Sequence, residues 1–342
     1  MPLPDAHGPL AHAAGTSTAD ALDVRWNHGV AAWRRPLLGR RPGGPRPEPP
    51  IQVHRHDEHT VVLRQSKVLT YEAPFLYLLF GDDRALLLDT GATEDPGLFP
   101  LRATVDALID DWLDRHPRRG AQPYGLVVAH SHGHNDHVAG DGQFAWPGTT
   151  VVGRDADAVR EYFGFGPGGV PWPTAIAELE LGDRRLEVLA TPGHHESAIT
   201  LYDPRTGFLL TGDTVLPGRL YIDDAPAFAA SLDRMVDFAR HRKITQVLGA
   251  HVEMTRRDGR DYPIGARHQP REAPLALAPE RLTAVREAVR EVAGRSGVFR
   301  HRDFVLYVEP SERDMARLLR RGNRRDRARR ALELALRPLT AR

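Results

Sequence analysis

The 342-residue chain contains no cysteine. That absence excludes disulfides, thiolate zinc sites, iron–sulfur clusters and a cysteine nucleophile, so any metal must be held by nitrogen and oxygen. Long apolar runs are missing too. No segment approaches the roughly 20 apolar residues that span a bilayer, and the opening MPLPDAHGPLAHAAGTSTAD has no signal-peptide core. The expected setting is cytoplasmic, with no membrane partner. Lysine is almost absent, at Lys67 and Lys243 only, and the arginine that replaces it reads as coding bias. An excess of one charge sign is also lacking. With 46 Lys and Arg against 45 Asp and Glu, the formal net charge of +1 is too small to draw nucleic acid or a membrane surface to the molecule as a whole.

What is present is an ordinary globular composition, 41% hydrophobic and 27% charged, in a chain long enough for one catalytic domain with extensions. Residues 1–50 are rich in Pro, Gly, Ala and Arg. The stretch RRPLLGRRPGGPRPEPP cannot sustain a helix or a paired strand, because proline removes a donor and fixes φ. An extended arm is expected there, with a short helical piece near ADALDVRWNHGVAAW as the exception, Trp26 and Trp33 packing on the main body.

From residue 51 short apolar runs alternate with turn signals. TVVLRQS, FLYLLFGDD and RALLLDTG read as buried strands, GDDR closing a hairpin. Leu101, Val105, Leu108, Ile109, Trp112 and Leu113 recur at helical spacing. The strand YGLVVA follows. Further strands are expected at TTVVGRD, AELELGD, RRLEVLATPG, SAITLYDP, GFLLTGD and ITQVLGAH, with helices near DADAVREYF and over residues 226–241. Two β-rich halves with helices imply two sheets face to face, helices outside, in a catalytic domain over 51–270. Residues 271–342 read as a mostly helical extension, with a strand expected in FRHRDFVLYVEP. Its basic face suits solvent better than nucleic acid, because Leu318, Leu319, Leu332, Leu334 and Leu336 offer an apolar side for packing.

The chemistry gathers at HSHGHNDH, residues 130–137. His132 and His134 stand two apart at a strand end, with Gly133 leaving room for close backbone approach, and Asp136 and His137 follow as the chain turns. So many imidazoles and a carboxylate are costly to bury without a ligand. Two adjacent ions need further donors, and the same grammar of apolar strand, small residue, then His or Asp supplies them: His194 in LATPGHHES, Asp213 in FLLTGDT and His251 in QVLGAH.

HSHGHNDH with downstream TPGH, TGDT and GAH resembles the metallo-β-lactamase-fold hydrolases, across residues 51–270. The resemblance implies an α/β αββα sandwich with a dinuclear centre at one edge. It implies that His132, His134 and His194 bind one ion, that Asp136, His137 and His251 bind the other, and that Asp213 bridges them. Asp89 in LLLDTG would orient the ligands. The texture of TGDTVLPGRLY, HVEMT and GARHQPREAPLAL is similar to glyoxalase II, although the lysine-rich glutathione-binding features of that enzyme have no counterpart here. The acyl-homoserine lactonase pattern calls for a tyrosine directly after Asp213, where this chain has Thr214, Val215 and Leu216, with Tyr221 further on.

Two divalent cations would lower the pKa of a shared water from about 15.7 toward about 7, with no serine or cysteine needed. Zinc is the expected metal, and iron and manganese suit the same donors. The expected reaction is hydrolysis of an ester, thioester or lactone in a small-molecule substrate. Iron-dependent redox chemistry of the persulfide dioxygenase kind and phosphodiester hydrolysis are the alternatives. Asp136, His195 and Tyr221 are the candidate catalytic residues: His195 either donates a proton to the leaving group or hydrogen-bonds a ligand, and Tyr221 with Arg219 lies where a substrate would pass. The aromatic stretch REYFGFGPGGVPWPT, residues 160–174, is either a lid or sheet-edge packing. A homodimer is compatible with the sequence.

Overall fold

Alternation within the apolar runs decides which face of a sheet each residue serves. The computed structural model describes residue 26 and residues 48–117, 123–166 and 169–322. Strands β1 (Ile51–Asp57), β2 (Thr60–Gln65), β3 (Phe75–Phe80), β4 (Arg84–Leu88), β5 (Gly125–Ala129) and β6 (Thr149–Val151) form one six-stranded sheet in that order. The first four pair antiparallel, and β4, β5 and β6 run parallel. In β3 the run FLYLLF is buried throughout. Phe75, Tyr77 and Leu79 face the core between the sheets, while Leu76, Leu78 and Phe80 face the outer core under helix α1 (Leu101–Arg115). A strand covered on both faces reads as a continuous apolar run, which is why no alternation is visible in the sequence.

The second sheet has the order β13 (Ala276–Leu277), β12 (Gln246–Gly249), β10 (Phe208–Gly212), β9 (Ile199–Asp203), β8 (Arg185–Ala190), β7 (Ile176–Glu180). Its inner face, including Val188, Leu201, Leu210 and Leu248, meets Val62, Leu86 and Leu88 of the first sheet. Helix α2 (Asn135–Val138) follows β5 after a short loop, and helix α3 (Ala156–Phe163) is capped by the Asp155 side chain, which accepts from Ala158 N. The outer face of the second sheet is covered by helices α4 (Ala225–Arg240) and α5 (Glu280–Glu291). Phe228, Leu232, Met235 and Val236 recur at helical spacing along α4, and the Asp224 side chain caps its start by accepting from Ala227 N. Each fully buried leucine of these layers contributes on the order of 2 kcal/mol. The layers are helix, sheet, sheet, helix, the expected sandwich.

The strand expected in FRHRDFVLYVEP is β15 (Val305–Val308). It pairs with β14 (Gly297–Arg300) and runs parallel to β11 (Arg219–Ile222) in a third, three-stranded sheet, and it is β11, β14 and this sheet that escape the sequence reading. Residues 312–322 are helical. Leu318 is buried as expected, Leu319 is exposed, and Leu332, Leu334 and Leu336 lie outside the described residues. Trp26 does pack on the body, edge-on to Phe75, whereas Trp33 and the helical piece expected around it lie outside the described residues. No helix among the described residues is long and apolar enough to cross a membrane.

Candidate metal centre

Strand direction brings the donors together. β9 is antiparallel to both β8 and β10, and β10 is parallel to β12, so β8, β10 and β12 all end at the same edge of the second sheet. Beyond those ends stand His194, Asp213 and His251. Ser131, just past β5, accepts from Ile199 N at 2.8 Å, which sets the HSHGHNDH loop against that edge. Helix α2 then presents Asp136 and His137. Two glycines permit the close fit: a Cβ on Gly133 would lie 2.6 Å from the Arg154 carbonyl, and one on Gly212, whose φ is +51°, 2.6 Å from Ser131.

All seven donors expected from the sequence converge. His132 Nε2 lies 2.9 Å from His134 Nδ1 and 3.2 Å from His194 Nε2, and the last two are 3.1 Å apart. In the second group, His251 Nε2 is 3.3 Å from His137 Nε2 and 3.3 Å from Asp136 Oδ2. Asp213 stands between them, with Oδ2 3.8 Å from His194 Nε2 and Oδ1 3.7 Å from His137 Nε2 and 3.6 Å from His251 Nε2.

Outer contacts fix the tautomers. His194 Nδ1 donates to the Tyr221 carbonyl at 2.8 Å, His251 Nδ1 to the Glu72 carbonyl at 3.2 Å, and His137 Nδ1 to Asp89 Oδ2 at 2.9 Å. Asp89 also accepts from Ser131 N and Oγ, as its expected orienting role requires. With the outer nitrogens donating, the Nε2 lone pairs point inward. Lone pairs crowded at about 3 Å repel unless a cation or proton lies between them, and donors bound to one cation at about 2.1 Å lie about 2.9–3.4 Å apart. Asp213 Oδ1 is buried and has no hydrogen-bond donor among the described residues. The donor set therefore fits divalent cations.

The two groups differ electrically. Burial, reinforced by neighbouring imidazoles, pushes His132 far down and His134 down to about 4. Burial acts in the same direction on His137 and His251, but there the carboxylates prevail: Asp89 and Asp136 lift His137 to about 9, and Asp213 and Asp136 lift His251 to about 10. Asp136 is held low by the two histidines against the opposing effect of burial. Protons on His137 and His251 thus balance charge that a cation would balance in their place.

A cavity of about 590 Å³ opens over the centre, its wall including His134, Asp136, His194, Asp213 and His251. Tyr221 lines it as well. Arg219 reaches the same wall, but its guanidinium is buried, bonded to Glu253, to Asp261 at 3.1 Å and to the Tyr221 hydroxyl at 3.1 Å, so it braces Tyr221 rather than standing free for substrate. His195 is not part of the cavity wall: its ring packs 4.8 Å from that of His134 and its Nδ1 meets Ser197. The aromatic stretch is core, not lid. Phe163 and Phe165 are buried in the core between the sheets, with Tyr162 and Trp172 packed against it. Sequence reasoning missed Glu72, which acts through its backbone carbonyl, and Glu309, Pro310 and Met315, which close the cavity from the chain's C-terminal part.

Comparison with known proteins agrees with this geometry. The chain is 28% identical over 172 residues to a hydroxyacylglutathione hydrolase of Synechococcus sp. (strain JA-3-3Ab), covering 47% of this chain and 58% of that one. It is 26% identical over 212 residues to the acyl-coenzyme A thioesterase MBLAC2 of Homo sapiens, covering 52% and 72%. Among solved structures, a metallo-beta-lactamase from Pontibacter korlensis aligns with 70% of this chain and 99% of its own, at 15% identity and a TM-score of 0.46. The model of the metallo-beta-lactamase superfamily matches residues 70–294. That span runs from β3 through α5 and takes in every donor of the centre, and on it the chain belongs to the metallo-beta-lactamase superfamily.

Proposed function

We propose that the protein is a dinuclear metal-dependent hydrolase that cleaves an ester, thioester or lactone in a small-molecule substrate. The observation that carries this reading is the position of Asp213, one oxygen turned to His194 and the other to His137 and His251. On this reading His132, His134 and His194 hold one cation, Asp136, His137 and His251 the other, and Asp213 both. Zinc suits these donors, as do iron and manganese. When bound, the pair supplies hydroxide near neutral pH and polarises the scissile carbonyl.

The chain's own residues do the rest. Burial keeps the Tyr221 phenol protonated well above its ordinary range, and Arg219 donates to its oxygen. Tyr221 lines the cavity, where its phenol can donate to a substrate oxygen. Asp136 faces the cavity from the first turn of α2, and its ionised carboxylate can accept a hydrogen bond from the attacking water and orient it. His195 buttresses His134. The names of the two relatives, one a hydrolase of an acylglutathione and one a thioesterase, support acyl hydrolysis.

The test combines metal analysis with a panel of p-nitrophenyl esters, thioesters, lactones and bis-p-nitrophenyl phosphate. Close to two metal ions per chain and turnover of carbonyl substrates are expected. One iron per chain without hydrolysis, or turnover confined to the phosphate diester, would overturn the reading.

A further inference from the structure

The wall of the cavity away from the metal donors has a charge pattern of its own. Its carboxylates are Glu72, Asp223, Glu253 and Glu309, and its single guanidinium is Arg219. That cation is spent. Its side chain is 3% exposed and bonded to Glu253 and Asp261. Among the described residues Glu72, Asp223 and Glu309 pair with no arginine or lysine. The rest of the wall is the phenols Tyr71 and Tyr221 and the apolar Leu216, Ile264, Pro310 and Met315.

Three residues of that surface, Glu309, Pro310 and Met315, come from the segment after residue 294, beyond the span matched by the family model. β15 delivers Glu309 and Pro310, and the helical turn at 312–322 delivers Met315. Glu309 is fixed at the mouth: its N–H donates to the Ile222 carbonyl at 2.8 Å, its carboxylate accepts from Ser296 Oγ at 3.2 Å, and its φ of +40° is one that few residues other than glycine adopt. The segment is latched at its other end. Arg321 and Arg300 both reach the Asp261 carboxylate, at 3.1 Å and 2.9 Å, and Asp261 also holds Arg219.

We infer that the segment after residue 294 sets the substrate class of the cavity: an uncharged ester or thioester with an apolar acyl portion, polyanionic thioesters being turned away by Glu309 and its acidic neighbours. The inference rests on the hydrolase reading for its chemistry and on the wall for its specificity. Coenzyme A carries several phosphates and glutathione its carboxylates, and this wall offers them no free cation. An apolar acyl chain, by contrast, finds Leu216, Ile264 and Met315, and about 590 Å³ is room for a small ligand.

The experiment uses the full-length, metal-loaded protein and one acyl group carried on N-acetylcysteamine, glutathione and coenzyme A, as thioesters for turnover and as inert thioethers for binding. At low ionic strength kcat/KM for the neutral carrier should exceed that for coenzyme A by about tenfold or more, and salt should narrow the gap. Glu309→Lys should narrow it as well, through KM for the anionic carriers. A coenzyme A thioether that binds as tightly as the neutral one, or a ratio that Glu309→Lys leaves unchanged, overturns the inference. Preferential binding of the neutral thioether with no turnover of any thioester, nor of the ester and lactone substrates of the panel, would sink the hydrolase reading while upholding the specificity.

Discussion

Asp89 grips His137 by the ring nitrogen that faces away from the centre, Oδ2 to Nδ1 at 2.9 Å, while the same carboxylate takes the Ser131 N–H and hydroxyl. One side chain thus sets both the tautomer of a metal donor and the loop that carries the others. Its backbone is left-handed, with φ of +70°, a conformation that aspartate and asparagine tolerate better than most residues. Asp89→Asn therefore keeps the backbone and removes the charge. Affinity for the cation proposed to bind at Asp136, His137 and His251 should fall about 10- to 100-fold. Chelator competition measures it, and unchanged affinity for both ions would refute the role.

Removing the shared donor is a harsher test. Asp213→Ala, or His132→Ala on one side only, should abolish turnover while circular dichroism shows a folded protein. Metal per chain should drop below its wild-type value in both. Full activity in either variant contradicts the assignment of the centre.

The site was legible in the sequence where chemistry demands a residue type. His132, His134, Asp136, His137, His194, Asp213 and His251 are imidazoles and carboxylates, the donor types that divalent cations take from a chain without cysteine, and glycines beside them mark the close approaches. Asp89 was legible for the same reason. Glu72 and the Tyr221 carbonyl were not, because any residue has a backbone carbonyl and only the fold shows which histidine it meets. Asp261 was hidden by distance: its partners Arg219, Arg300 and Arg321 lie 42, 39 and 60 positions away. Phe163 and Phe165 illustrate another ambiguity, since an aromatic residue looks the same in a lid as in a core. β1 and β11 alternate or end too quickly to stand out, whereas the apolar run of β15 was legible and only the fold shows that β11 lies beside it.

A hydrogen bond across the sandwich joins the core to the centre. The Tyr77 hydroxyl on β3 donates to the Gly249 carbonyl at 2.7 Å, fully buried and two residues before His251. Tyr77→Phe leaves that carbonyl without its partner, at a cost of about 1–3 kcal/mol. Denaturant unfolding should show the loss. Because the carbonyl sits at the end of β12, weaker metal retention should accompany it; wild-type stability would mean that the carbonyl finds another donor.

The Arg184–Asp203 pair makes the corresponding prediction for pH. Both side chains are 1% exposed, and Arg184 also donates to the Phe80 carbonyl at 3.1 Å and to Thr60 Oγ1 at 3.0 Å, tying the first sheet to the second. Burial raises the Asp203 pKa, but bonds from Arg184 and Thr206 outweigh it and hold the carboxyl below its ordinary value of 3.8. A carboxylate whose pKa falls on folding adds stability that is fully present above the unfolded-state pKa. That contribution is lost as pH falls through 3.8 toward the folded-state value. Asp203→Asn leaves Arg184 a buried charge without its counter-ion, which should cost about 3–5 kcal/mol near neutral pH. The same variant should lose less stability than wild type on acidification below pH 3.8, since it has no carboxylate there to protonate. Unfolding free energies of both proteins across the acid range decide it: parallel curves would show that the pair contributes nothing titratable, and a variant as stable as wild type at neutral pH would show that Arg184 finds other acceptors.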